Sequence, residues 1–259
     1  MLIILAGEQD EVARDLAGCW SSSDSHLITP KDLSQSGWRH RLGSRTEGFW
    51  SAGLRHAPKK RLDEPQAEFQ DENIAVVGGR TVSARRIDGV LTRLPCVFEQ
   101  ELAHIVPVDR AYVSAEMTAF LLSWLSELDC PILNRPTPTC LSGPGWRQEQ
   151  WLHFAARLGI PVAPVRRYAK LGEESSIETG PELRKAVTVV GQRCFNAFDK
   201  RQEAHAQSLA AAAGVGLLGI HFSVSNDGSS SLRSVDFWPD IGSPEIADAI
   251  LNYFAGEAA

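Results

Sequence analysis

Two polar residues near the end of the chain, His221 and Asp236, are the pair best suited to do chemistry together. An imidazole titrates near neutral pH and ligates metals, and a carboxylate can orient it, exchange a proton with it or join it on a metal ion. Each sits in a run that alternates in polarity. In residues 217–224, Leu218, Ile220, Phe222 and Val224 share one face, leaving Gly219, His221 and Ser223 on the other. In residues 232–237, Val235 and Phe237 point opposite to Ser234 and Asp236. The intervening residues 225–231 are rich in Asn, Asp, Gly and Ser, so the two runs read as an antiparallel hairpin. If the apolar faces coincide, His221 and Asp236 lie close together on the polar face. The pair could bind a metal, act as acid and base, or hydrogen-bond to one another. Two ligands do not specify a metal, so the hydrogen bond is the expectation.

Other signatures of chemistry are missing. There is no phosphate-loop Gly-x-x-x-x-Gly-Lys, no Gly-x-Gly-x-x-Gly after a strand, no His-Glu-x-x-His and no Gly-x-Ser-x-Gly. The 7 histidines form no i, i+4 pair, and none stands beside a cysteine at zinc-ligand spacing. Arg39, Arg41, Arg45, Arg55, Lys59, Lys60 and Arg61 precede Asp63, Glu64, Glu68, Asp71 and Glu72. A phosphate-binding loop is one reading of this basic-then-acidic block; a solvated connection is the one adopted. Trp38, Phe49 and Trp50 imply that part of it docks on the protein body.

The elements that position these residues follow from periodicity. Residues 2–6 read as a buried strand, residues 10–17 as a helix and residues 26–29 as a second strand, an order that implies a parallel α/β layer. Residues 74–87 read as a hairpin turning at Gly78-Gly79, and residues 90–94 as a strand. Met117, Phe120, Leu121, Trp124, Leu125 and Leu128 recur at helical spacing over residues 114–128. Residues 132–134 give another strand, and the Pro- and Gly-rich stretch 134–145 is the natural boundary. Trp151, Phe154, Ala155 and Leu158 mark a helix that Gly159 ends. Residues 187–190 read as a strand and residues 204–213 as a helix stopped by Gly214. Ser243 as N-cap and Pro244 in the first turn open a last helix bearing Ile246, Ala249, Ile250, Tyr253 and Phe254. Trp146 and Trp151 could mark an interface, though core packing suits Trp151 better.

With 259 residues the chain has room for about two domains. A hydrophobic content of 43%, a charged content of 22% and a net charge of -6 describe an acidic globular protein. That charge argues against nucleic-acid or anionic-membrane partners, which need a basic surface. The 5 scattered cysteines lack any Cys-x-x-Cys and read as reduced thiols. No apolar stretch approaches the roughly 18 residues of a membrane span, and residues 1–6 are too short for a signal peptide. A soluble, cytoplasmic protein is expected.

Several segments in order resemble the ATP-grasp superfamily, in particular its glutathione-synthetase-like members. Gly89-Val90-Leu91-Thr92-Arg93-Leu94-Pro95 resembles the arginine-bearing strand of their N-terminal lobe. Cys130-Pro131-Ile132-Leu133-Asn134-Arg135-Pro136 resembles the strand by which the chain leaves that lobe. Leu158-Gly159-Ile160-Pro161-Val162-Ala163-Pro164 resembles the segment before the nucleotide-binding subdomain, and residues 214–222 and 235–239 resemble the two closing strands. The resemblance runs over residues 89–254. It implies an α/β fold: a pre-ATP-grasp-like lobe with a parallel sheet over residues 1–135, and a truncated ATP-grasp-like lobe with an antiparallel sheet over residues 136–259.

The departures from that family are as informative. The subdomain that covers ATP should lie between Pro164 and Val187, where only Lys170 and Lys185 could face a nucleotide. At the metal site, His221 stands where the resemblance calls for a carboxylate, Asp236 stands in for a glutamate and Trp238 for an asparagine. Imidazole and indole are poor replacements for the hard oxygen donors of Mg²⁺. The resemblance thus implies a degenerate, non-catalytic protein, a pseudoenzyme, in which Arg93, Asn134, His221, Asp236 and Trp238 line an inter-lobe cleft. A small molecule, a peptide or a partner protein would occupy it, with no cofactor. The alternative is an active ATP-dependent carboxylate–amine ligase using ATP and Mg²⁺, with Lys170 or Lys185 at the phosphates or a partner chain supplying the lid. A metal-dependent hydrolase centred on His221 and Asp236 is a third possibility.

Overall fold

A computed structural model describes residues 1–41, 73–164, 186–225 and 228–256. They fall into two compact units, Met1–Ser142 and Gly143–Ala259. The first runs β1 (Leu2–Leu5), α1 (Glu11–Cys19), β2 (Ser25–Ile28), α2 (Pro30–Leu33), β3 (Ile74–Val77), β4 (Arg80–Ser83), β5 (Gly89–Thr92), α3 (Arg110–Ser126) and β6 (Ile132–Leu133). Four strands form a sheet of order β2-β1-β5-β6, and every pairing in it is parallel. β1 and β5 are buried along their whole length, which is why they read as unbroken apolar runs rather than alternating ones. Ile3, Leu5 and Val90 pack against Leu121, Trp124, Leu125 and Leu128.

Local chemistry sets the ends of these elements. Asp10 caps α1 by accepting the Ala13 N–H at 3.0 Å. The β3–β4 hairpin turns at Gly78 and Gly79, whose φ angles of 55° and 75° need residues without a side-chain penalty. α3 starts at Arg110, earlier than apolar spacing predicts. Its first turn carries the exposed Tyr112, and the Arg110 side chain holds the entry by donating to the Ile105 carbonyl at 2.9 Å. From the basic-then-acidic stretch only residues up to 41 are described; the rest, with Phe49 and Trp50, lies outside the described residues. Trp38 docks edge-on against Phe120 at 5.7 Å and Trp124 at 5.4 Å.

The second unit runs α4 (Gln148–Arg157), β7 (Val187–Val190), β8 (Arg193–Phe195), α5 (Lys200–Ala213), β9 (Leu217–Val224), β10 (Ser230–Asp236) and α6 (Pro244–Phe254). Its sheet, of order β10-β9-β7-β8, is antiparallel throughout. Val187, Val189, Leu218, Ile220 and Leu232 meet Trp151, Leu152, Ala155 and Leu209 in one core. Trp151 is a core residue, only 1% exposed. α5 begins four residues before the predicted start because Asp199 caps it, accepting the Gln202 N–H at 2.7 Å. It ends at Gly214, whose φ of 67° is the left-handed C-terminal cap that glycine favours. Beyond α4, the Ala163 N–H and the Pro161 carbonyl each bond Leu232 of β10 at 2.7 Å. The Gln148 side chain donates to the Arg233 carbonyl at 2.8 Å and accepts the Val235 N–H at 3.3 Å. Among the described residues no helix is long and apolar enough to cross a membrane.

Candidate functional site

In the first unit, Arg93 and Asn134 follow the carboxyl ends of the neighbouring strands β5 and β6. Ligands of open parallel sheets collect at that edge, above all where the strand order reverses. Here the chain steps from β1 to β2 on one side and returns to β5 on the other, so the reversal lies between β1 and β5. Arg93 and Asn134 are buried, 8% and 3% exposed. The Thr92 hydroxyl links the two strand ends by donating to the Asn134 carbonyl at 3.2 Å.

Arg93 is committed within the unit. Its Nε donates to Asp10 Oδ2 at 2.6 Å and a terminal nitrogen reaches Oδ1 at 3.4 Å. The same Asp10 carboxylate caps α1, so one ion pair ties the end of β5 to the start of the first helix. Sequence reading found Arg93 but not this partner. It also missed Glu101, whose carboxylate lies over Gly7 where any side chain would collide with it. Glu101 accepts the Phe98 N–H at 3.4 Å. Burial first, and then the neighbouring Glu8 charge, raise its pKa above the ordinary carboxylate value, against the lowering effect of two backbone N–H groups.

In the second unit a β-bulge decides what faces what. Leu232 pairs with Phe222, but the next partner of His221 is Ser234, so Arg233 is the extra residue. Strict one-to-one pairing would set Ser234 and Asp236 on the face of Ile220 and Leu218. The bulge shifts the register by one, aligning Val235 with Ile220 and Asp236 with Gly219. His221 and Asp236 therefore share the polar face as diagonal neighbours. The hydrogen bond expected between them is not formed. Asp236 Oδ1 instead accepts the Trp238 backbone N–H at 2.8 Å, and His221 Nδ1 is buried without a partner. Gly219 leaves room for this arrangement, since a Cβ there would stand 3.1 Å from Pro239 Cβ and 3.3 Å from the Asp236 carbonyl. Trp238 is 40% exposed beside them.

Five candidate residues thus form two sets: Arg93 and Asn134 in the first unit, and His221, Asp236 and Trp238 in the second. Lys170 and Lys185 lie outside the described residues. The donors of the second set do not fit a hydrated Mg²⁺ ion. One is a nitrogen, one is an indole, and the only carboxylate already spends an oxygen on a backbone N–H. No group of three or more His, Cys, Asp or Glu placed to hold a metal occurs among the described residues. A separate hollow of about 340 Å³ on α4 is lined by Trp146, Glu149, Gln150, His153 and Phe154.

No protein-family model matches the chain, and no curated protein matches it. Solved structures do. The macrocyclase MdnC of Microcystis aeruginosa MRC, bound with precursor peptide MdnA, superposes with a TM-score of 0.60 at 13% identity, covering 100% of each chain. A Chryseobacterium gregarium RiPP-associated ATP-grasp ligase, in complex with ADP and a leader and core peptide, gives 0.59 at 11% identity over 100% of this chain and 97% of that one. The ATP-grasp ligase PsnB, complexed with minimal precursor, Mg and ADP, gives 0.60 at 11% identity and 98% of each chain. Together with the parallel sheet of the first unit and the antiparallel sheet of the second, these likenesses give the chain an ATP-grasp-like fold.

Proposed function

We propose that this chain is a peptide-binding protein built on the ATP-grasp-like fold, and that it does not carry out ligation with its own residues. The observation that carries this reading is the polar face of the β9–β10 hairpin. His221 is only partly buried, and its Nδ1 has no partner in the protein, so a turn of the ring would bring that nitrogen to a hydrogen-bonding ligand, and a peptide group supplies both donor and acceptor. Trp238 adds a half-exposed indole suited to apolar or aromatic side chains. The second oxygen of Asp236 remains for a ligand N–H. Imidazole and indole suit a peptide better than they suit a metal–phosphate cluster, which needs several hard oxygens. Further support comes from the full-length likeness to ligases solved with precursor peptides. Arg93, held by Asp10, would contribute by shaping the first unit rather than by touching the ligand. Free thiols at all five cysteines fit a cytoplasmic setting.

Titration of the full chain with fluorescent pools of random synthetic peptides, and calorimetry with ATP in the presence and absence of Mg²⁺, test this together. Saturable peptide binding that H221A and W238A abolish, with no nucleotide heat, is the expected outcome. Tight nucleotide binding that Mg²⁺ strengthens would sink the non-catalytic reading. It would favour instead an ATP-dependent carboxylate–amine ligase using Lys170 or Lys185, a reading prompted by the nucleotide complexes among the similar structures.

A further inference from the structure

Ser123, His40 and Asn73 form a hydrogen-bonded chain in the first unit that plays no part in the hairpin site. Ser123 Oγ lies 2.7 Å from His40 Nε2, and His40 Nδ1 lies 3.3 Å from Asn73 Oδ1. A third contact fixes the protons. The Arg41 backbone N–H donates to Asn73 Oδ1 at 2.7 Å, so that atom is the amide oxygen and accepts. His40 Nδ1 must therefore carry the proton it shares with Asn73. In the neutral ring this leaves Nε2 bare, and the Ser123 hydroxyl donates to it. Phe120 holds the imidazole edge-on at 6.0 Å. Three separate places in the chain converge here: the segment that pairs Arg39 with Ile74, the residue just before β3, and α3. The order is nucleophile, base, orienting group.

We propose that Ser123 is a base-activated nucleophile, an acylation site for activated ester donors, with His40 as its base and Asn73 as a positioning residue. In the step, Ser123 Oγ bonds to the carbonyl carbon while its proton moves to His40 Nε2. The bond to the leaving phenolate breaks, and the phenolate takes the proton from His40. Acyl-serine and a phenol result, with no change of oxidation state. Ser123 sits inside α3, where backbone N–H groups are spent on carbonyls one turn back. It therefore lacks the pair of free amides that speeds acyl turnover, and the site accepts one acyl group rather than hydrolysing ester rapidly.

The test is incubation of the full chain with p-nitrophenyl acetate, and separately with a fluorophosphonate, followed by peptide mass mapping. Ser114 and Ser126 are internal controls, because each donates to a carbonyl of α3 instead of to a base. Ser123 is expected to be labelled first, at a rate at least about a hundredfold above that in H40Q. N73A is expected to slow labelling and to shift the nitrogen-15 signals of His40 toward mixed tautomers, which a merely structural asparagine would not do. Labelling of Ser123 no faster than Ser126, or at an unchanged rate in H40Q, overturns the proposal. If H40Q does not fold, the comparison of the two serines in the unmodified protein still decides it.

Discussion

Two buried polar groups, one in each unit, are treated in opposite ways. In the first, Arg93 is almost fully buried and almost fully answered: Asp10 takes its charge, and the same carboxylate closes the first turn of α1. In the second, His221 keeps a ring nitrogen out of water with nothing to bond, two positions along the face from a carboxylate that has turned to its own backbone. A satisfied buried charge is part of the scaffold, whereas an orphaned buried nitrogen is a cost that the fold tolerates. On the function proposed above, Arg93 belongs to the scaffold and the hairpin residues to recognition, although both were equal candidates as sequence.

The sharpest way to break this contrast is to remove Asp10. Taking the Asp10 carboxylate away from the buried Arg93 guanidinium should cost about 3–5 kcal/mol, read as a large drop in the urea midpoint of D10A. A loss within experimental error would show that the Arg93–Asp10 pair is not part of the scaffold. Next in size is Gly219→Val, which forces its new side chain against Pro239 and the Asp236 backbone. It should cost about 1–3 kcal/mol and displace Trp238, which difference fluorescence against W238F would detect. Replacing His221 by leucine removes an unsatisfied group, and a gain of up to about 1 kcal/mol is expected. Peptide binding should vanish in the same variant; stability lost rather than gained would mean that His221 is structural after all.

The smallest effect concerns Glu101. Its folded pKa is raised, so the folded state holds the proton more tightly than the unfolded chain does. Stability from this group is present in acid and declines as pH rises from the ordinary carboxylate value through the raised one. E101Q should flatten that slope, and identical pH–stability curves for the two proteins would remove Glu101 from the account.

Much of the scaffold was visible in the residues themselves. Ser243-Pro244 marked the start of α6, Gly78-Gly79 marked a turn, and the alternation in β9 picked out Leu218, Ile220 and Phe222, which meet in one core. These signals are local, decided by atoms within a few positions of one another. The bulge at Arg233 was not legible, because Arg-Ser between Leu232 and Val235 looks like ordinary alternation until a partner strand is laid beside it. β8, at three residues, is too short for any period to show. The role of Arg93 was hidden for a different reason, since its partner stands 83 positions earlier. The absent bond between His221 and Asp236 follows from the same bulge, which puts them on one face but in diagonal register.

The amide of Gln148, bonded along β10 on both sides of Ser234, has a consequence for how a peptide can be held. With Pro161 and Ala163 occupying Leu232, the outer rim of that strand has its hydrogen-bonding groups at Leu232, Arg233 and Val235 already taken. An incoming chain cannot extend the sheet there by adding itself as a further strand. On the function proposed above, a peptide held here would be gripped by the side chains of His221, Asp236 and Trp238 rather than by strand pairing, so it need not be extended.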